Sequence, residues 1–103
     1  MNEESTGLVM IKIELWLHVK GTDDQVFIER IIDLPFAPWV GLGITGLTNE
    51  NSNLCEHTVR SVWWDYAKAC FIVMLEPDDS DDTGRTSQEI VDTDYPSEWI
   101  RQE

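Results

Sequence analysis

Val9-Met-Ile-Lys-Ile-Glu-Leu-Trp-Leu-His-Val-Lys20, then Gly21-Thr-Asp-Asp24, then Gln25-Val-Phe-Ile-Glu-Arg-Ile-Ile-Asp-Leu34 is the most strongly patterned stretch of this chain. In its first segment Ile11, Ile13, Leu15, Leu17 and Val19 alternate with Lys12, Glu14, Trp16, His18 and Lys20, the period-two pattern of a strand that buries one face. The Gly-Thr-Asp-Asp composition is a turn, and Val26, Ile28, Ile32 and Leu34 resume the apolar phase beyond it. A loop over residues 21–24 pairs Lys20 with Gln25, Leu17 with Ile28 and Lys12 with Asp33. That register builds an apolar ladder on one face and an opposite-charge pair on the other.

Working outward, Pro35 and Pro38 end the second strand. Gly41, Gly43, Gly46 and the Asn-rich Thr48–Asn53 then mark a loop with one short strand near Val40–Thr45. Val59–Glu76 fits two patterns. Helical spacing is satisfied over residues 54–67, but the β-branched and aromatic content and the Phe71-Ile-Val-Met-Leu75 run favour a hairpin turning at Tyr66-Ala67, with Asp65 facing Lys68. In that hairpin Trp63, Cys70, Ile72 and Met74 share a face with His57, while Val62, Trp64, Phe71, Val73 and Leu75 share the other with Arg60. Both faces are apolar, so the one not turned to the core needs a cover: a second layer, the C-terminal segment or another subunit.

After Pro77 the composition becomes Asp78-Asp-Ser-Asp-Asp-Thr-Gly84, read as the start of an acidic, mobile linker over residues 78–94. Pro96-Ser-Glu-Trp-Ile-Arg101 starts like a capped short helix, with Tyr95, Trp99 and Ile100 available to dock it. The expected organisation is one domain: a β-rich core over residues 1–77, the linker, and an arm over residues 95–103. The expected fold is mainly β (or α+β), an antiparallel meander of four to five strands, partly barrel-like, with a short C-terminal helix or arm.

Charge narrows the function classes. Against 20 acidic residues stand 7 basic ones, a net −13, with −8 of it from Glu76 onward. Such a field repels nucleic acid, disfavours anionic membranes and favours basic partners. The longest apolar run, Phe71–Leu75, is far short of the ~20 residues that cross a bilayer, and no secretory pattern opens the chain, so a cytoplasmic protein is expected. Cys55 and Cys70 fall on different rungs of the hairpin and are expected as free thiols.

Short motifs carry chemistry only in the structural context their chemistry needs. Gly41-Leu-Gly43-Ile-Thr-Gly46 has the dinucleotide-loop letters without the strand before it or the helix after it. Asp79-Ser-Asp81-Asp-Thr83-Gly84 begins like a calcium loop, but Ile90 stands where its last ligand belongs. Cys55-Glu-His57 aligns a thiol and an imidazole with no third ligand or partner in reach. No catalytic, metal or cofactor set is therefore expected. Arg30 and Arg60 each occupy an otherwise apolar strand face, opposite Leu15 and Val73, where a guanidinium needs an internal carboxylate or an anionic ligand. Trp16, His18, Phe27 and Ile31 lie among charges on the outer face of the first hairpin, the make-up of a contact surface.

Leu34-Pro-Phe-Ala-Pro-Trp-Val-Gly-Leu42, Val59-Arg-Ser-Val-Trp-Trp-Asp65 and Phe71-Ile-Val-Met-Leu-Glu76, in that order, resemble small uncharacterised β-rich proteins carried on mobile integron gene cassettes. The resemblance spans residues 9–76 and implies a bacterial, cytoplasmic accessory protein, with no activity or site. The residues themselves point to a non-enzymatic acidic interaction module, of inhibitor, immunity or adaptor type, that binds a basic partner and forms a homodimer. The contact residues expected are Trp16, His18, Phe27, Arg30, Arg60, Trp63 and Trp64. The alternatives are a small-molecule-binding barrel with an aromatic cavity, and a nucleic-acid mimic.

Overall fold

A computed structural model describes residues 9–50, 52, 54–79 and 84–102. These residues form strands β1 (Ile11–Lys20), β2 (Gln25–Leu34), β3 (Gly43–Thr45), β4 (Glu56–Asp65) and β5 (Cys70–Leu75), helix α1 (Ser87–Asp94) and strand β6 (Ile100–Gln102). One six-stranded sheet runs in the order β3-β4-β5-β1-β2-β6. It is open, with β3 and β6 as its edges, so the expected barrel-like closure does not occur. Nor is it a meander: β5 lies parallel to β1, Leu15 beside Val73, while every other neighbouring pair is antiparallel. The long β2–β4 connection, which contains the short edge strand β3, brings the chain back to the far side of β1.

The β1–β2 hairpin has the register that its turn and apolar phase dictate, from Ile11 facing Leu34 to Lys20 facing Gln25. Ile13, Leu15, Leu17, Val19 and Ile28 are fully buried on its inner face, where Val59, Val73 and Leu75 join them. Each such side chain contributes about 1.5–3 kcal/mol by leaving water. The segment 54–67 is strand, not helix.

Two details of β4–β5 differ from expectation. The turn spans residues 66–69, with Ala69 at φ 52°, and Asp65 faces Cys70 rather than Lys68. Asp65 Oδ1 accepts the Lys68 amide at 3.0 Å, an Asx-type closure that accommodates the longer loop. A register shift between Val59 and Ser61 then changes the phase of the strand. An inserted residue reverses the alternation on one side of it. His57 therefore points into the core beside Val59, not outward with Trp63, and Arg60 sits at the irregularity, exposed, instead of facing Val73.

Within the span read as a linker, residues 84–94 hold α1, and Asp78 bridges Val19 of β1. Residues 80–83, which include most of the calcium-like sequence, lie outside the described set. Thr86 caps α1 reciprocally: its hydroxyl accepts from Glu89 N at 3.2 Å, and Glu89 Oε1 accepts from Thr86 N at 2.9 Å. Ile90 is buried against the sheet. The Pro96 segment is not the expected helix but a turn, closed by Trp99 N donating to Pro96 O at 3.1 Å, after which β6 extends the edge of β2. No helix among the described residues is long and apolar enough to cross a membrane.

Candidate functional site

The C-terminal segment and α1 cover the inner face of the sheet, which leaves its outer face without a helix or strand over it among the described residues. Pairing sets that face in rows. Trp63, Ile72, Glu14 and Ile31 cross it in one row; Ser61, Met74, Trp16, Glu29 and Ile100 cross it in the next. His18 stacks on Phe27 at 4.6 Å between ring centroids. Phe27, Ile31 and Trp63 remain 40–49% exposed, large apolar area that the fold does not use.

Two carboxylates lie near the centre of this face. Glu14 is buried and accepts from Trp16 Nε1 at 2.6 Å and from Lys68 Nζ at 3.2 Å. Burial raises its pKa, but the Trp16 and Lys68 hydrogen bonds outweigh that and hold it below the ordinary glutamate range. Glu29, diagonal to it, is pushed up by burial and then by the charge on Glu14. Gln102 Nε2 donates to Glu29 Oε1 at 2.8 Å and ties β6 to this face.

A different polar cluster lies within the core. Tyr95 Oη donates to Asp78 Oδ2, and His57 Nε2 lies 3.2 Å from the same hydroxyl. The single phenolic proton goes to Asp78, so His57 donates through Nε2 and its buried Nδ1 is left with no partner among the described residues. Burial lowers the His57 pKa, opposed by the Asp78 charge, and burial followed by that charge moves the Tyr95 hydroxyl well up. Three titratable groups in a chain resemble an acid-base relay, yet all are at most 4% exposed and no substrate can reach them. Their role is to seat the C-terminal segment, together with Trp99 Nε1 donating to Leu47 O at 2.9 Å.

At the end of the sheet where β1 turns into β2, acidic residues gather. Ser87 N and Oγ donate to Asp24 at 2.8 and 3.0 Å, Thr22 N donates to Arg85 O at 3.0 Å, and Lys20 N donates to Asp78 O at 2.8 Å. Through their chain neighbours Asp78 and Ser87, the exposed Glu76, Asp79 and Glu89 come to the same end of the sheet as Asp23, where Lys20–Gln25 line an open depression of about 370 Å³. Only glycine fits at position 21, because a Cβ there would stand 2.2 Å from Ser87 N and 2.7 Å from Thr86 C.

Of the contact residues expected from the sequence, Trp16, His18, Phe27 and Trp63 share the outer face. Trp64 points to the opposite side, edge-on to Phe71 at 5.0 Å, and Arg60 is exposed at the register shift between Val59 and Ser61. Arg30 does face Leu15 as expected, but not in an internal ion pair. Its guanidinium lies 6.0 Å from the Trp99 ring, with Nη1 unpartnered among the described residues. The aromatic and arginine residues are thus spread over two faces rather than around one cavity. His57 is buried while Cys55 is exposed, Gly43 opens a strand rather than a phosphate loop, and no three His, Cys, Asp or Glu groups among the described residues converge as metal ligands. Sequence reading missed the Asp24–Ser87 clasp and the Asp78–Tyr95–His57 contact; the Thr86-x-x-Glu89 capping box was the visible sign that structure follows the acidic run.

Compared with protein-family models, with curated proteins and with solved structures, the chain matches none.

Proposed function

We propose that this chain is a non-enzymatic acidic interaction module that binds a basic protein surface, as an inhibitor, immunity-type or adaptor protein does, and that the clasped acidic end of the sheet is its contact region. The observation that carries the reading is the segregation of charge. Two of the cations are paired with shielded carboxylates: Lys68 with Glu14, and Arg85 bidentate to Asp94 at 3.0 and 3.2 Å. Lys12 and Lys68 belong to the outer face or reach over it, so among the described residues Lys20 is the one lysine at the sheet end beside the exposed Asp23, Glu76, Asp79 and Glu89. A field of one sign on an ordered surface steers an oppositely charged partner and selects against acidic ones. The cytoplasmic, integron-cassette setting implied by the resemblance is part of this proposal.

The test is affinity capture with the wild-type chain and with a triple variant, Asp23→Asn, Glu76→Gln and Asp79→Asn, none of which removes a hydrogen bond of the clasp. The expected result is a basic protein held by the wild type, released as salt is raised and bound more weakly by the variant. Capture that neither salt nor neutralisation weakens would refute the reading.

A further inference from the structure

We infer that the uncovered outer face of the sheet is the self-association surface of this protein, and that its occupant is the same face of a second copy. Phe27, Ile31 and Trp63 are exposed large side chains on this face, with Trp16, Met74 and the buried Ile72 between them, an apolar band across four strands interrupted by Glu14 and Glu29. Charge identifies the occupant. Over β1, β2 and the β4–β5 turn, Lys12, Lys20 and the incoming Lys68 offset all but one of Glu14, Glu29, Asp33 and Asp65, with Glu56 and Glu76 toward the far ends of β4 and β5, so this part of the face carries little of the chain's net charge of −13. Two such chains repel wherever their acidic surfaces meet; here the repulsion is least and both signs are present.

A two-fold contact requires a patch that complements itself, and a face on which lysines, carboxylates and exposed apolar side chains are interspersed meets that requirement. A strongly basic partner is drawn instead to the acidic end. Four strands spaced ~4.8 Å apart and rising ~3.3 Å per residue present a flat footprint on the order of 500 Å². That footprint is smaller than the ~800 Å² per partner of a standard interface, which fits a reversible monomer–dimer equilibrium rather than an obligate dimer.

The experiment is sedimentation equilibrium of the full chain from micromolar to sub-millimolar concentration, at low and high salt. The expected result is a monomer–dimer equilibrium that tightens as salt rises, because salt screens the net repulsion of the two chains while leaving the apolar contact intact. Ile31→Lys, which sets a lysine opposite Glu14 and so keeps the strand paired, should raise the dimer Kd by about tenfold or more, and Trp63→Ser should act in the same direction. Isotope-filtered NOEs on mixed labelled and unlabelled wild type should connect Ile31 and Trp63 across copies, a readout independent of any variant's folding. A monomer throughout, a dimer indifferent to Ile31→Lys and Trp63→Ser, or contacts to Ile31 and Trp63 from within one copy or from a basic protein would each overturn the inference.

Discussion

The two faces of β1 hold the same strand in opposite environments. Inward, Ile13, Leu15, Leu17 and Val19 are wholly buried beneath α1 and the Tyr95–Trp99 segment, and the few polar groups there are hydrogen-bonded or lie against aromatic rings. Outward, Glu14 and Trp16 are bonded to each other at the centre of a face that no helix among the described residues covers. The inner face is closed by the protein's own chain, so its chemistry is structural. The outer face retains apolar area beyond what folding uses, and that residue of hydrophobicity is where association is to be sought.

The largest test of this contrast is a pair of truncations. Leu15→Ala should cost about 2–5 kcal/mol in denaturant unfolding, because it leaves a cavity that the sheet and helix cannot fill. Ile31→Ala, 49% exposed on the other face, should cost less than about 1 kcal/mol in the monomer. Equal costs would mean that the outer face is covered in solution.

Next in size is Tyr95→Phe, which deprives buried Asp78 and His57 of their shared hydroxyl and should cost about 1–3 kcal/mol. A loss of similar size is expected for Gly21→Ala, where the new methyl pushes against the backbone of Thr86 and Ser87 and loosens the seat of α1. Chemical-shift changes confined to α1 and the β1–β2 turn would localise that effect.

His57 on the inner side and Glu29 on the outer face contribute pH dependences of opposite sign. His57 has a folded pKa below its unfolded value of 6.5, so the unfolded chain binds the extra proton. The stability this group contributes is present above about pH 6.5 and is lost as pH falls through that value toward the folded pKa. Glu29, held up by burial and by Glu14, does the reverse: its contribution is present below about pH 4.5 and is lost as pH rises through its folded pKa. Urea midpoints measured between about pH 8 and 5.5 should fall on acidification in the wild type and flatten in His57→Gln.

The smallest effect expected is from Lys68→Ala. Glu14 loses its cation, so its titration midpoint, followed by side-chain NMR, should rise with no change in fold. An unmoved midpoint would show that the Trp16 and Glu29 side chains hold the charge without Lys68.

Much of this was legible in the sequence. Alternation over residues 11–34 and a short polar turn determine the first hairpin, its register and both of its faces, since period two leaves only one way to bury the apolar set. Arg30 opposite Leu15 and Trp16, His18 and Phe27 on one outer face follow from the same reading. The β4–β5 hairpin was legible as an element but not in its details. A bulge and a longer turn leave the composition unchanged while moving His57 and Arg60 to new surroundings.

By itself, then, the sequence determined the strands, the charge and the presence of a surplus apolar face, because these rest on local periodicity and composition. Only the tertiary structure decided which face stays open, that β5 runs parallel to β1, that β6 joins the edge of β2, and that Asp78, Tyr95 and His57 meet in the core. Those outcomes depend on contacts between residues far apart in the chain, whose pairing is set by how the whole sheet packs against one helix and one C-terminal turn, and no local pattern encodes that choice.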